Sequence, residues 1–506
     1  SHIDNWMMQE ELPMLYNQYK ITIPHVFVYN IELRGKDYIQ VKQRDSSIHA
    51  TEREGSSAGG VSKDFTVSAQ ETTFISRNLP AIRQDESYCW CPEDYKVQVS
   101  FDLQGTQFTP NEYKPYSQKW EDVDKQLLKP ENTQFGEHLS LTNPFRPETK
   151  QAYNSEMNFE EKIICAFQVL KKKMAWNGRY QLYSKELEKV IKKGSGSNAD
   201  LNFILISILK DFGLEAYPVV MSRRSSGMLP YNFPSLQKLN TFFVAIHDIN
   251  KQKYVFLDSS MDVPAFNILP LELSVNKARM LSLKEKEEKK WVNVMALSHN
   301  KSFMKIDARI EGNQVKGHRS TVLYGQEAIE YQANENHKQD NLVSNPENKV
   351  SQKEKLTVTN LKVKKQENDW ALIEEEFDFV LQADRTDDHL YINPMLFPQL
   401  KSNPFIQTER VLPIEFPYPY KFTMLSTLTL PEGYEVEELP QSQSIRSEGD
   451  GLQCKYMIQQ QGNTILLNYV FHLKGYIFLS EQYKQLQELW AKVIEKNNAL
   501  IVLKKI

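Results

Sequence analysis

Along this chain the spacing of apolar residues changes period twice, and that change constrains the fold more than any other feature. At the start the period is two. Ile21, Ile23, Val26 and Val28 alternate around Pro24, and Tyr95, Val97, Val99, Phe101 and Leu103 alternate with polar partners. Phe65, Val67 and Ala69 do the same after a Ser- and Gly-rich stretch, Arg53–Lys63, that reads as a hairpin loop. Alternation of this kind predicts half-buried antiparallel strands. In the middle the period becomes three to four. Phe159, Ile163, Phe167, Leu170 and Met174 form one helical stripe, and Leu182, Leu187, Val190 and Ile191 a second. The third stripe follows the loop Gly194-Ser195-Gly196-Ser197: Leu201, Ile204, Leu205, Ile208, Leu209 and Phe212, stopped by Gly213. Three strand-like runs follow, Ala216–Met221, Thr241–Ile246 and Tyr254–Leu257.

The period then returns to two. Met304, Ile306, Ala308 and Ile310 alternate before a turn at Glu311-Gly312-Asn313, and Leu356–Val363 and Ile373–Val380 read as another strand pair. Phe416-Pro417-Tyr418-Pro419 reads as a separator before a last group of strands. A helix over Ser480–Asn497, with Ser480 as N-cap and Tyr483, Leu486, Trp490 and Val493 on one face, precedes a terminal strand at Ala499–Lys504. Segregated runs of strands, then helices with strands, then strands predict an α+β protein rather than a wound parallel sheet. The expected domains are residues 1–135, 136–285 and 286–506, with 131–150 as a connector and the alternating charges of Lys284–Lys290 as a solvated linker or helix end.

Composition narrows the function. The 61 Lys and Arg against 65 Asp and Glu leave a net charge of −4, which argues against nucleic acid as a partner. The longest apolar run, Ile465–Leu479, is broken by His472 and Lys474 and falls short of a membrane span. Four cysteines, Cys89, Cys91, Cys165 and Cys454, cannot build a disulfide scaffold or two CxxC arms. The histidines show no HExxH or HxH spacing, so neither a metal nor another cofactor is expected.

The middle region carries the order expected of thiol chemistry: a loop, a long helix, a strand, and a strand ending in Asp258. A cysteine at the start of such a helix gains free N–H groups and the positive helix end, which favour the thiolate. A histidine on the next strand takes its proton, and an Asp or Asn orients the histidine. Trp176-Asn177-Gly178-Arg179-Tyr180, Gly194–Asp200, Leu209–Val219 and Tyr254–Asp258 carry a family resemblance, supported at the flanks by Trp6, Leu12-Pro13-Met14, Leu430–Tyr434 and Glu438-Leu439-Pro440. On these residues the sequence resembles the bacterial transglutaminase-like proteins, whose papain-like core is flanked by β-sandwich domains of unknown function. The resemblance covers nearly the whole chain and begins partway through the family's first domain. It implies a transglutaminase-like core between antiparallel β-sandwich domains, in the periplasm or on the cell surface of a Gram-negative envelope.

The departures bear directly on function. In the motif the nucleophilic Cys falls at Asn198 and the His at Thr241, while the Asp is kept as Asp258. An amide is no useful nucleophile, and a threonine hydroxyl is no base near neutral pH. The expectation is a non-catalytic protein whose degenerate cleft or sandwich faces bind a protein or a glycan, with Trp176, Tyr180, Asn198, Thr241 and Asp258 as the binding positions. Two alternatives stand beside it: an active hydrolase or acyltransferase with a relocated thiol or hydroxyl, and a purely architectural module. Each position also has a plain structural role. Asn198 could cap its helix, Asp258 could organise the turn into Ser259-Ser260, and Trp176 and Tyr180 could be packing. Cys165 sits within a helical stripe as an inert thiol, and His247, six residues past Thr241, is too far along an extended strand to replace the base.

Overall fold

The computed structural model describes residues 3–54, 61–108, 112–115, 119–131, 133–230, 234, 236–341, 356–366 and 369–506. The chain forms two compact units, Ser1–Leu127 with Arg224–Leu239, and Leu128–Arg223 with Asn240–Ile506.

The first unit contains two antiparallel sheets. In one, Val61–Leu79 lies between Met14–Pro24 and Gln40–Glu54; in the other, Gln98–Gln107 pairs with Trp6–Met7, Phe27–Arg34 and Tyr113–Pro115. Both contribute to one core, with Phe74 and Leu79 from the first and Val99 and Phe101 from the second packed with Met8, Ile39 and Val97. The alternation read from Tyr95 to Leu103 begins too early: Pro92–Tyr95 is a single 3-10 turn, as Pro92 at its start favours, and the strand starts at Gln98. The hairpin read at Arg53–Lys63 is paired as far as Glu54 and Val61, and its tip, 55–60, lies outside the described residues. The segment 224–239 joins this unit although it falls within the middle stretch of sequence. Gly227, at φ +90°, turns the chain so that the Met228 N–H donates to Asp94 Oδ2 at 2.7 Å, and the Arg224 guanidinium lies 4.3 Å from the Trp90 ring centre.

The second unit begins with helices. Gln134–Leu139 and Arg146–Ala152 occupy the stretch read as a connector; they are too short to show a stripe. Phe159–Lys173 is a helix closed by a capping box at Asn158 and Glu161. The second stripe shortens to Leu187–Lys193, leaving Leu182 outside it. Beside them stands a five-stranded antiparallel sheet in the order Lys253–Leu257, Thr241–Asp248, Glu215–Met221, Ala278–Met280, Trp291–Val292. The helix Asn198–Asp211 packs on this sheet and on Phe159–Lys173, and its residues 198–209 are all buried. Lys284–Lys290 is no freely solvated linker. Arg279 is fully buried and makes two hydrogen bonds to Glu287, at 2.6 and 2.9 Å, while Lys290 is itself buried.

The remainder is dominated by an eight-stranded sheet. Asn300–Glu311 alternates buried and exposed residue by residue, as its sequence predicts. Its neighbours Gln314–Tyr324 and Tyr420–Thr429 run antiparallel and parallel to it, so the sheet is mixed rather than wholly antiparallel. The proline-rich 416–419 therefore does not separate two groups of strands; it leads directly into the strand paired with Asn300–Glu311. Four short strands, including His389–Ile392 and the terminal Ile501–Lys505, form a further sheet. The last helix is Tyr483–Asn497, preceded by a 3-10 turn at Ser480–Gln482, so Ser480 is not its N-cap. Its face Tyr483, Leu486, Trp490, Val493 is buried, with the Trp490 ring stacked 5.5 Å from Phe416.

Candidate functional site

The three positions singled out by the triad pattern meet in space. Asn198 is the first residue of its helix, Thr241 the first residue of its strand, and Asp258 follows the strand Lys253–Leu257. Residues 43 and 60 positions apart in sequence are thereby within hydrogen-bonding range. Asn198 Nδ2 donates to Thr241 Oγ1 at 2.8 Å and to the Phe242 carbonyl at 3.0 Å, and lies 3.5 Å from Asp258 Oδ2. Asn198 Oδ1 accepts from the Gln181 N–H at 3.0 Å. An amide has two donor hydrogens, and both have near acceptors here.

Asn198 is not the helix cap. Ser197 takes that role, its hydroxyl accepting from the Asp200 N–H while Asp200 reaches back to the Ser197 N–H at 2.8 Å. The Asn198 side chain is thus directed across the helix start to the strand.

Asn202, which carries no signal in the triad pattern, completes the cluster together with Ser259 and Ser260 of the turn after Asp258. Asn202, four residues along the helix, donates to the Phe242 carbonyl at 2.8 Å and to Asp258 Oδ2 at 2.9 Å, and its Oδ1 accepts from the Ser259 N–H at 3.0 Å and from the Ser259 hydroxyl. Asp258 Oδ1 accepts from the Ser260 N–H at 2.9 Å and from the Ser260 hydroxyl. The signal for Asn202 was available: it is a polar residue at i+4 from Asn198, on the face of an otherwise apolar stripe. Burial pushes the Asp258 carboxyl above the usual carboxylate range, opposed by hydrogen bonds from Ser260, Asn202 and Asn198.

The cluster is closed. Asn198, Asn202, Thr241 and Ser259 are 0% exposed and Asp258 1%, so no ligand touches them without opening the core. Trp176 and Tyr180 lie at its edge. Their rings are 5.1 Å apart, Trp176 Nε1 donates to the Arg179 carbonyl at 3.0 Å, and the Tyr180 hydroxyl is 3.4 Å from Ser260 Oγ. Tyr180 also packs on the apolar core of the five-stranded sheet, and burial raises its hydroxyl pKa.

Residues considered as substitutes lie elsewhere. His247 sits at the other end of the Thr241 strand, its Nδ1 3.5 Å from Glu215 Oε2 and its ring stacked on Tyr254. Cys165 Sγ is 3.6 Å from the Ala152 carbonyl, and burial pushes its thiol pKa up, which disfavours the thiolate. All four cysteines are free, and among the described residues no group of three or more His, Cys, Asp or Glu is placed to hold a metal. Nor is any described helix long and apolar enough to cross a membrane.

Comparison with known proteins agrees with a mixed α/β architecture. Residues 388–503 match a family model described as a domain of unknown function with a solved structure (DUF3858). A crystal structure from Parabacteroides distasonis, described as a candidate protease, matches 99% of this chain and 75% of its own at 13% identity with a TM-score of 0.51. That likeness extends to fold alone. A candidate cysteine protease from Cytophaga hutchinsonii matches 49% of this chain and 80% of its own at 11% identity, with a TM-score of 0.18. No curated protein matches the sequence.

Proposed function

We propose that this chain is a non-catalytic protein built on a transglutaminase-like, papain-like core, working in the bacterial cell envelope by binding a protein or glycan. One observation supports the reading: Asn198 and Thr241, the residues at which the sequence resemblance puts the nucleophile and the base, are joined with Asp258 in a closed hydrogen-bonded cluster. A protease reading taken over from the Parabacteroides neighbour would need a nucleophile beside a base. At this site Asn198 donates both amide hydrogens, and Thr241 Oγ1 accepts one of them. Because the cluster is enclosed, partner binding belongs to other surfaces of the protein, with Trp176 and Tyr180 the parts of the site nearest to solvent. The envelope setting rests on the sequence resemblance. The test is to assay the purified chain for amidase, peptidase and acyl-transfer activity with and without iodoacetamide. The expected result is no turnover above buffer; robust turnover abolished by alkylation, and unaffected by Asn198→Ala, refutes the proposal in favour of a relocated thiol.

A further inference from the structure

On the covered face of the eight-stranded sheet lie two neighbouring hollows of about 670 and 410 Å³, which share Met304, Arg319, Gln399 and Phe422 as walls. Both volumes fall in the usual range for small-ligand sites. We propose that these hollows form a binding site for a neutral carbohydrate, one or two sugar rings in length. This inference is independent of whether the core is catalytic.

Charge is the first argument. Arg319 pairs with Glu375, which also accepts from the Tyr331 hydroxyl at 2.7 Å, and the guanidinium lies 4.3 and 4.8 Å from the ring centres of Phe377 and Phe397. Its charge is therefore matched within the wall. The other cation of the larger hollow, Lys401, shares it with the carboxylate of Asp384. In the smaller hollow burial shifts the Glu327 carboxyl towards its neutral form. Net charge suited to a phosphate or a carboxylate is thus missing, while hydrogen-bonding groups are plentiful.

Shape is the second. Flat polar side chains, Gln382, Gln399 and Asn498, stand with the aromatic rings of Phe397 and Phe422 around the larger hollow. Planar amides match adjacent hydroxyl pairs, so this lining suits a polyhydroxylated ring better than an apolar ligand. Preorganisation is the third. Gln399 is clamped from two sides, donating to the Tyr420 hydroxyl and accepting from Tyr469 at 3.0 Å; Asn497 Nδ2 in turn donates to the Tyr469 hydroxyl at 3.1 Å. A wall held in this way loses little freedom on binding.

The experiment is saturation-transfer NMR and calorimetry on the full chain with cellobiose, maltose and N,N′-diacetylchitobiose. Inorganic phosphate and trialanine serve as contrasting probes. At least one disaccharide is expected to bind, with affinity lowered about fivefold to tenfold by Gln382→Ala and again by Asn498→Ala, for one lost hydrogen bond each. Asn498 is exposed and its side chain holds no core together, so thermal melts of that variant should match the parent. Absence of disaccharide binding in the millimolar range, binding unchanged in both variants, or binding of phosphate or trialanine in their place overturns the proposal.

Discussion

Replacing Asn202 by Leu removes the centre of the buried cluster while keeping the branched shape of the side chain. The parent side chain makes four hydrogen bonds, two as donor and two as acceptor. The Phe242 carbonyl keeps a partner in Asn198, and Asp258 Oδ2 keeps only the 3.5 Å contact to Asn198. The Ser259 N–H and hydroxyl lose their acceptor in a place that water does not reach. Each buried polar group left without a partner costs about 1–3 kcal/mol, so the two groups left bare, the Ser259 N–H and hydroxyl, amount to roughly 2–6 kcal/mol. The loss is local to the second unit, and a chain of this size need not unfold in one step. Hydrogen exchange of amides in Asn198–Asp211 therefore reads it best. Protection there should fall by about 10–10⁴-fold, since every 1.4 kcal/mol is about tenfold. Peptides of the first unit, such as those from Gln98–Gln107, should keep their protection. Adding Asp258→Asn to the Leu variant should recover part of the loss, because a neutral amide tolerates the missing donor better than a carboxylate. Protection of the helix in the Leu variant within threefold of the parent would refute the reasoning that this cluster is a tightly coupled structural element.

Acid should strengthen rather than weaken the same region. Burial raises the Asp258 pKa, so its protonated form is favoured by folding, and stability held at pH below the ordinary carboxylate range declines as pH rises through the folded value; exchange of the helix measured between pH 4 and pH 8, corrected for intrinsic rates, should show this slope, and Asp258→Asn should flatten it. The Tyr418 hydroxyl lies 3.0 Å from Glu327 and 3.2 Å from Glu330 and has one hydrogen for both, and burial raises both carboxyls; protection at the start of the helix Gln326–Asn341 should therefore fall as pH rises towards neutral, and Glu327→Gln, which also removes the charge beside Glu330, should weaken the dependence more than Glu330→Gln. Ser197→Ala should cost about 1 kcal/mol at the start of Asn198–Asp211 through the lost cap, visible as faster exchange of its first turn, whereas Asn198→Ala should act through the strand contact at Thr241. In the first unit, Gly227→Ala should lower the melting temperature, because a Cβ there would stand 2.5 Å from Asp94 Oδ1 at a φ that disfavours side chains; an unchanged melting curve would contradict the turn described.

Much of the architecture can be read from local pattern. The stripe Leu201–Phe212 with Gly213 marks a helix that runs Asn198–Asp211, and alternation from Met304 to Ile310 marks a strand whose residues alternate in burial over its whole length. Where stretches are short the pattern has too few periods to be seen, which is why Gln134–Leu139 and Arg146–Ala152 read as a connector. Caps were also misplaced: Asn198 and Ser480 are good capping residues by type, but the bond made depends on which neighbouring N–H lies within reach.

What the sequence determined by itself is chemical. Asn198 and Thr241 carry no thiol and no imidazole, whatever the chain folds into, and the period of the apolar residues sets which segments coil and which extend. Tertiary structure decided the partners. It brought Asn202 and Ser259 into the cluster, turned the Asn198 amide towards Thr241, set Asn300–Glu311 parallel to Tyr420–Thr429, and sent 224–239 to the first unit. The reason is physical: hydrogen-bond periodicity acts within a segment, whereas the choice among partners tens of residues away is made by packing and by the cost of leaving buried polar groups unpaired.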